Sequence, residues 1–324
     1  MKKLFLILMS FVLLMSVTAC SDKNPAEPSN ITQAPDKGNS EDNNSEQNNK
    51  EDNSSQGDDS SENENPENRV VATSVAIVEI LDALGVNMVG IPTSSYELPE
   101  SVKDATKVGN PMSPDMEIIK SLDPTIVFSV VTLQATLKDN FDAINIESEF
   151  VNLNSYEGLL ESIKLMGEKT NVKDKADQLV KDIEERVNKV AESKSEEDAS
   201  TVMIIFGVSG SFQVVTEKAY VGDLVKRAGA KNIIEDAQSG FIPVDIEYLA
   251  SKNPDYILLM THANPEESKA AFEKEFSENP VWDNFDAVKN DKVIALDSKY
   301  FGMSANLFAP DAMEKLEEIF YGKE

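Results

Sequence analysis

The two side chains that most often carry catalytic or metal chemistry are scarce in this sequence of 324 residues. Cysteine occurs once, at Cys20, and histidine once, at His262. His262 follows an apolar run that predicts a strand over residues 256–260, and α/β proteins bind ligands at the carboxyl ends of such strands. A lone histidine is also common on an ordinary surface loop. No nucleophile–base pair or metal cluster emerges in the sequence, which argues against an enzyme.

The residues before Cys20 predict export. Two lysines precede an apolar run over residues 4–17, which is shorter than the ~20 residues of a membrane-spanning helix. The run ends in Val-Thr-Ala-Cys, which resembles the lipobox of bacterial lipoproteins, so we expect residues 1–19 to be a cleaved signal peptide. Cys20 then carries acyl chains such as palmitate and anchors the protein to the outer face of the cell membrane. The alternative is an ordinary signal peptide with a stray cysteine, although Cys20 has no disulfide partner in the chain.

Residues 20–68 have the composition of a disordered tether. Asn, Ser, Asp, Glu, Gln and Pro dominate, and 13 acidic against 3 basic residues give the segment a net charge of −10. Such a segment buries too little apolar surface to offset the entropy of ordering. The rest of the chain is also acidic, which argues against nucleic acid as a partner.

The remaining sequence alternates strand-like apolar runs with amphipathic helical stretches, which predicts an α/β fold. One series occupies residues 69–171 and a second occupies residues 199–324. Residues 172–198 between them contain no Gly or Pro, and their apolar positions recur every three or four residues. That spacing predicts a long helix of roughly six turns followed by a loop. We therefore expect two Rossmann-like lobes with central sheets, joined by a single long rigid α-helix.

A short internal repeat supports two lobes of the same kind. The segment from Glu117 to Pro124 has a counterpart from Glu247 to Pro254, with a serine at the same offset. Each copy predicts a helix that carries a glutamate, a turn at the proline, and then a buried strand, because helices usually stop before a proline. A solvated helix face is the ordinary role for either glutamate.

Several collinear segments resemble the substrate-binding proteins of ABC importers that take up iron complexes, haem and cobalamin. The resemblance covers nearly all of residues 69–324 and is closest to the haem-binding lipoproteins of the iron-regulated surface determinant system. It implies the fold of a class III periplasmic-type binding protein that works as a monomer. The matching segments are V-A-T-S-V-A (71–76), V-G-I-P-T-S (89–94), V-G-N-P-M-S-P-D (108–115), Y-V-G-D-L-V-K-R-A-G (220–229) and S-K-N-P-D (251–255).

The same resemblance implies a metal-containing cargo, haem b (iron protoporphyrin IX), held between the lobes. His262 aligns with the axial histidine of the haem-binding relatives, and Met112 is implied as the second axial ligand, a pairing known for haem iron. The ordinary role for a methionine is to fill a core, and this chain has eleven of them. The prolines on either side of Met112 argue against a helical core position.

Two further segments are implied to hold the haem propionates. One comprises Thr73, Ser74, Val75 and Ala76, where a strand leads into a helix whose first N–H groups are free to bind an anion. The other comprises Ser94, Ser95 and Tyr96. The relatives carry a Tyr-Lys pair where this chain has Ser95-Tyr96, so the side-chain contacts are less certain there than the backbone role. Ser74 can equally serve as a simple N-cap.

The resemblance also implies the partners. Glu117 and Glu247, one in each lobe, match glutamates that dock onto arginines of an ABC permease, whose ATPase drives import. Haem is then received from upstream cell-surface haem donor proteins. Because a stiff helix joins the lobes, we expect only a small closure on binding.

Two alternatives to haem stay open at this point. A ferric siderophore or cobalamin fits the same fold, although siderophores are usually held by several basic residues and arginine is limited to Arg69, Arg186 and Arg227. A surface interaction or adhesion lipoprotein, displayed on an acidic tether, is a third reading from a different functional class.

Overall fold

The first lobe is built on a five-stranded parallel sheet. This computed structural model describes residues 68–191, 199–208, 211–261 and 265–322. Cys20, the predicted signal peptide and the predicted tether up to residue 67 therefore lie outside the described residues. The sheet has the strand order β3-β2-β1-β6-β7. Its strands are β1 (Val70–Ala72), β2 (Met88–Ile91), β3 (Thr106–Lys107), β6 (Ile126–Val130) and β7 (Ser148–Val151).

Helices cover both faces of this sheet, which explains why β1 and β6 are buried at every position. A small antiparallel hairpin, β4 (Gly109–Asn110) and β5 (Ser113–Pro114), stands apart from the sheet. The helices of the lobe are α1 (Val75–Ala83), α2 (Met116–Ser121), α3 (Gln134–Ala143) and α4 (Tyr156–Lys169).

The predicted connecting helix is confirmed as α5, which runs from Lys173 to Ala191 over 19 residues. At 1.5 Å per residue it is about 28 Å long. Its apolar stripe packs against α4 of the first lobe and α10 of the second. The buried members of the stripe are Ala176, Val180, Ile183, Val187 and Val190.

The second lobe has a mixed sheet of order β11-β9-β8-β12-β13, with β10 also paired to β8. β9 runs antiparallel to β8 because only residues 209–210 connect them, and a parallel neighbour needs a longer crossover. The strands are β8 (Thr201–Val208), β9 (Ser211–Val215), β10 (Lys231–Asn232), β11 (Phe241–Pro243), β12 (Tyr256–Thr261) and β13 (Val293–Ala295). The helices are α6 (Tyr220–Arg227), α7 (Ile246–Lys252), α8 (Pro265–Glu278), α9 (Asp286–Lys289) and α10 (Ala309–Tyr321).

The predicted repeat is confirmed in its geometry. Asp115 caps the N-terminus of α2 through the N–H groups of Glu117 and Ile118, and Asp245 caps α7 through that of Tyr248. Each helix is followed by a residue with positive φ, Asp123 or Asn253, and then by a proline and a buried strand. The same local signals therefore build the same helix–turn–strand unit in both lobes.

The largest apolar cluster extends through both lobes. It includes Phe128 of β6, Ile163 of α4 and Ile183 of α5, and continues to Phe206 of β8 and Leu316 of α10. The lobes are thus joined by packed side chains as well as by α5. None of the helices within the described ranges is long and apolar enough to cross a membrane.

Candidate functional site

Met112 lies at the tip of the β4–β5 hairpin. Gly109 starts the hairpin at φ 97°, a conformation that glycine adopts without strain. The Met112 N–H donates to Asn110 Oδ1 at 2.9 Å, which fixes the turn. The Met112 side chain is 70% exposed. It is therefore not core filler, and its thioether is presented to whatever approaches the tip.

The hairpin is attached to the carboxyl end of β2. The Thr93 N–H donates to the Gly109 carbonyl at 2.8 Å, and the Val108 N–H donates to the Ile91 carbonyl at 2.8 Å. Ser94 follows in the same loop, and its Oγ accepts the Tyr96 N–H at 2.9 Å. The structure thus places the loop of Ser94, Ser95 and Tyr96 beside the hairpin that carries Met112.

Thr73 supports the neighbouring strand end from inside. Its side chain is fully buried, and both its N–H and its Oγ1 donate to the Phe128 carbonyl, at 3.0 and 3.2 Å. The hydroxyl therefore ties β1 to β6 and is not turned towards a ligand. This differs from the expectation that Thr73 contacts a ligand, because burial at the sheet centre requires the hydroxyl to find a backbone partner.

The start of α1 next to Thr73 has the features of an anion site. Ser74 has the extended backbone of an N-cap, yet its hydroxyl makes no capping bond and its Oγ is buried without a partner in the described structure. The first helical bond runs from the Val78 N–H to the Ser74 carbonyl, so the N–H groups of Val75 and Ala76 have no helical acceptor. A carboxylate at this helix end would satisfy these donors and the positive end of the helix dipole.

Glu117 and Glu247 occupy equivalent places in the two lobes. Each is in the first turn of its helix, two residues after the capping aspartate, and each is exposed. Tyr248, next to Glu247, is 48% exposed. Both carboxylates are therefore accessible to a partner from outside.

In the second lobe, β12 ends at Thr261, one residue before His262. His262 itself lies outside the described residues. Thr261 lines a cavity of 370 Å³ between α8 and the carboxyl ends of β12 and β13. Sequence reasoning missed this cavity, although a polar Asp-Ser pair directly after the apolar run of β13 is a usable signal for a strand end near a ligand. Its other lining residues include Leu259, Phe272, Phe276, Val293, Asp297 and Ser298.

One wall of this cavity is an aromatic stack. Phe276 packs on Trp282 with ring centroids 4.3 Å apart, and Trp282 packs in turn on Phe285 at 5.2 Å. The Trp282 indole N–H donates to Glu275 Oε1 at 3.1 Å, and the side chain is 3% exposed. The single tryptophan of the chain therefore belongs to the core behind the cavity.

The three arginines make contacts within the protein. Arg69 donates to the Leu122 and Asp123 carbonyls, and Arg186 pairs with Asp311 and Glu314 on α10. Arg227 pairs with acidic residues between the lobes. All three are thus engaged within the protein, whereas anionic siderophores are usually held by several basic residues.

The two lobes touch through loops at the carboxyl ends of their sheets. The Ala305 N–H, after β13, donates to the Leu153 carbonyl, after β7, at 2.7 Å. We call the space between these two sets of loops the interlobe cleft. Two α/β lobes joined by one long helix, with exposed polar loops around such a cleft, define a binding protein of the kind that captures a solute for transport.

The chain belongs to the periplasmic binding protein family, whose sequence profile matches residues 70–300. It is 39% identical over 257 residues to the high-affinity heme uptake system protein IsdE of Staphylococcus aureus (strain Newman), covering 78% of this chain and 87% of that protein. The solved structure of S. aureus IsdE complexed with heme has a TM-score of 0.74 and 38% identity, over 79% of this chain and 99% of that one. An ABC transporter substrate-binding protein from Listeria monocytogenes EGD-e has a TM-score of 0.74 and 42% identity, over 79% of this chain and 100% of that one.

Proposed function

We propose that this protein captures haem in the interlobe cleft and delivers it to an ABC permease for iron acquisition. The observation that carries the proposal is the similarity, over nearly the whole described part, to a protein named for heme uptake and solved with heme. The protein then binds and releases its cargo without changing it, as a transport component and not as an enzyme.

In this proposal Met112 and His262 are the axial ligands of the haem iron. A thioether and an imidazole are a known ligand pair for haem. The exposure of Met112 on a hairpin fixed by backbone hydrogen bonds supports its role. The position of His262, directly after the strand that ends at Thr261, supports the other.

The propionates bind, in this proposal, at the start of α1 and along the adjacent loop. Ser74, Val75 and Ala76 offer an unpartnered hydroxyl and free N–H groups. Ser95 and Tyr96 are exposed next to the Met112 hairpin and complete the rim. Because Thr73 is buried, it fixes the start of α1 in place.

The partners follow from the same proposal. Glu117 and Glu247 dock onto a permease, whose ATPase drives import, and cell-surface donors supply the haem. Their exposure, and their equivalent positions in two repeated units, support this role. Lipidated Cys20 holds the chain at the outer face of the membrane, and residues 20–68 form the tether. The two lobes comprise residues 69–171 and 199–324, and residues 172–198 connect them.

Titration of haemin into the mature protein tests the function. We expect a sharp Soret band, and we expect Met112→Ala and His262→Ala each to shift the band and to weaken binding at least tenfold. Tyr321→Ala is the control, because Tyr321 is an exposed apolar side chain, at 36%, but lies at the end of α10 and not in a loop of the cleft. Binding that is unchanged in both ligand variants contradicts the assignment, and a response to a ferric siderophore or cobalamin in place of haemin contradicts the choice of cargo.

A further inference from the structure

A polar junction closes the interlobe cleft on one side. It forms where the N-terminus of α4 meets α6, and the Tyr156 N–H of the first lobe donates to Asp223 Oδ2 of the second at 2.8 Å. This N–H belongs to the first turn of α4 and has no acceptor within the helix. A carboxylate from the other lobe thus replaces the missing helical partner.

Arg227 adds three contacts to the junction. Its guanidinium carbon lies 4.5 Å from the centre of the Tyr156 ring, it forms an ion pair with Glu157, and its Nε lies 3.5 Å from Asp223 Oδ1. Two of these three partners belong to the first lobe, whereas Arg227 belongs to the second.

Two of the charged side chains in the junction are largely shielded from solvent. The side chains of Arg227 and Asp223 are 24% and 16% exposed. Burial raises the pKa of the Asp223 carboxyl, and burial, followed by the charge of Glu184, raises the pKa of Tyr156 to about 12. Charged and cation–π contacts are stronger in such surroundings than on an open surface.

The junction and Met112 lie at opposite edges of the first sheet. Tyr156 and Leu153 follow β7, the last strand in the order β3-β2-β1-β6-β7, whereas the Met112 hairpin is attached to β2 and follows β3. With strands about 4.8 Å apart, three spacings separate β7 from β2 by about 14 Å. A rotation of about 10° at the junction would therefore move the hairpin by about 2–3 Å, well beyond the ~0.5 Å tolerance of a working ligand site.

We infer that Asp223 and Arg227, acting on Tyr156, are positioning residues that fix the angle between the lobes. They thereby set the distance between Met112 and the end of β12 at Thr261, without contacting the cargo. The part of this inference that concerns haem rests on the proposed function, whereas the part that concerns the lobe angle does not.

Interlobe distances in the ligand-free protein test the inference. Cys20 is the only cysteine, so a mature Cys20→Ser chain accepts spin labels at Lys107→Cys and Lys274→Cys, two exposed positions on different lobes. Pulsed electron paramagnetic resonance should give one narrow distance for this chain. We expect Arg227→Met and Asp223→Asn to broaden the distribution or to shift its mean by about 2 Å or more.

Arg186→Met is the matched control, because Arg186 also pairs with two carboxylates, but both lie on α10 and neither belongs to the junction of α4 and α6. Distributions as narrow in the junction variants as in this control overturn the inference. If Arg227→Met does not fold by circular dichroism, Glu157→Gln tests the same junction, because the side chain of Glu157 is 60% exposed and its loss is mild.

Haemin binding distinguishes a failure of the proposed function from a failure of the positioning role. We expect the junction variants to bind haemin at least tenfold more weakly, with Arg186→Met unchanged. A wild-type chain that binds no haemin defeats the proposed function while the distances still decide the lobe angle. Junction variants with shifted distances but unchanged haemin affinity overturn the positioning role.

Discussion

The two ends of the interlobe cleft are built from opposite kinds of contact. The closed end is formed by Tyr156 of the first lobe and by Asp223 and Arg227 of the second. The side chains of Asp223 and Arg227 contact Tyr156, which is distant from them in sequence. At the open end, Met112 is 70% exposed, and its position is fixed by hydrogen bonds within its own hairpin and the neighbouring loop. The difference indicates that the contacts that join the lobes lie away from the hairpin tip, which stays accessible.

At the closed end, α4 and α6 each pack tightly against the segment that precedes them. α4 and α6 both start with Tyr-x-Gly, at Tyr156 and Tyr220. A Cβ at Gly158 would overlap the Asn152 carbonyl oxygen, and a Cβ at Gly222 would lie 2.6 Å from the Thr216 carbonyl carbon. Only glycine fits at either helix start.

The largest expected effect comes from a change at the start of α6, which carries Asp223 and Arg227 of the closed end. Gly222→Ala should lower the free energy of unfolding by about 3 kcal/mol, because the new methyl group meets backbone that cannot rotate away. Urea denaturation measures the change. Gly302→Ala is the control, since its Cβ would be 3.6 Å from the nearest atom, and it should be nearly neutral. Equal stability of the two variants would contradict the tight approach at α6.

A second change weakens the N-terminus of α2, the helix that follows the Met112 hairpin at the open end. Asp115→Ala should lower the free energy of unfolding by about 1 kcal/mol, because Asp115 caps α2 directly behind the hairpin with two bonds of 3.0 Å. Asp115→Ser keeps an oxygen for the cap and should retain most of the stability. The equivalent Asp245→Ala removes one such bond and should cost less. Thermal unfolding of the three variants ranks them.

Two partly buried carboxylates extend the comparison to the pH dependence of stability. Burial raises the pKa of Glu79 on α1, and no cation among the described residues opposes that rise. Burial also raises the pKa of Asp223 at the closed end, but the Tyr156 N–H and the charge of Lys226 oppose that rise. The folded protein therefore binds a proton at Glu79 more tightly than the unfolded chain does. The stability from this proton is fully present below the pKa of an unfolded glutamate, about 4.3, and is lost as the pH rises through the higher pKa of the folded state. Glu79→Gln should therefore stabilise the protein at pH 7 by about 0.5 kcal/mol.

The gain from Glu79→Gln should shrink as the pH falls towards 4, which urea denaturation at several pH values will follow. Asp223→Asn should give no gain at pH 7, because it weakens the junction. A constant gain across pH for Glu79→Gln would show that the burial of its charge is not the cause.

The smallest expected effect on stability comes from a change at Met112, which should affect haemin binding but not folding. Met112→Leu should change the free energy of unfolding by less than about 0.5 kcal/mol, because the side chain is mostly exposed. The same variant removes the thioether and should weaken haemin binding at least tenfold. A large loss of stability would mean that the hairpin tip is part of the core after all.

Much of the fold could be predicted because its signals are local. The apolar spacing of α5, and the Glu, Ser and Pro positions shared by α2 and α7, depend on neighbouring residues alone. The junction could not be predicted in this way, since Tyr156 and Asp223 are 67 residues apart in sequence. The inward hydroxyl of Thr73 was also beyond prediction, because the sequence does not reveal that the Phe128 carbonyl lies beside it.

Trp282 gives the protein a built-in optical reporter. It is the only tryptophan of the chain, it is stacked on Phe276, and Phe276 lines the cavity at the end of β12. Its dry surroundings should give blue-shifted emission, and displacement of Phe276 should change the intensity. The state of the second lobe can therefore be followed by intrinsic fluorescence, without labels, in the same cuvette as a haemin titration.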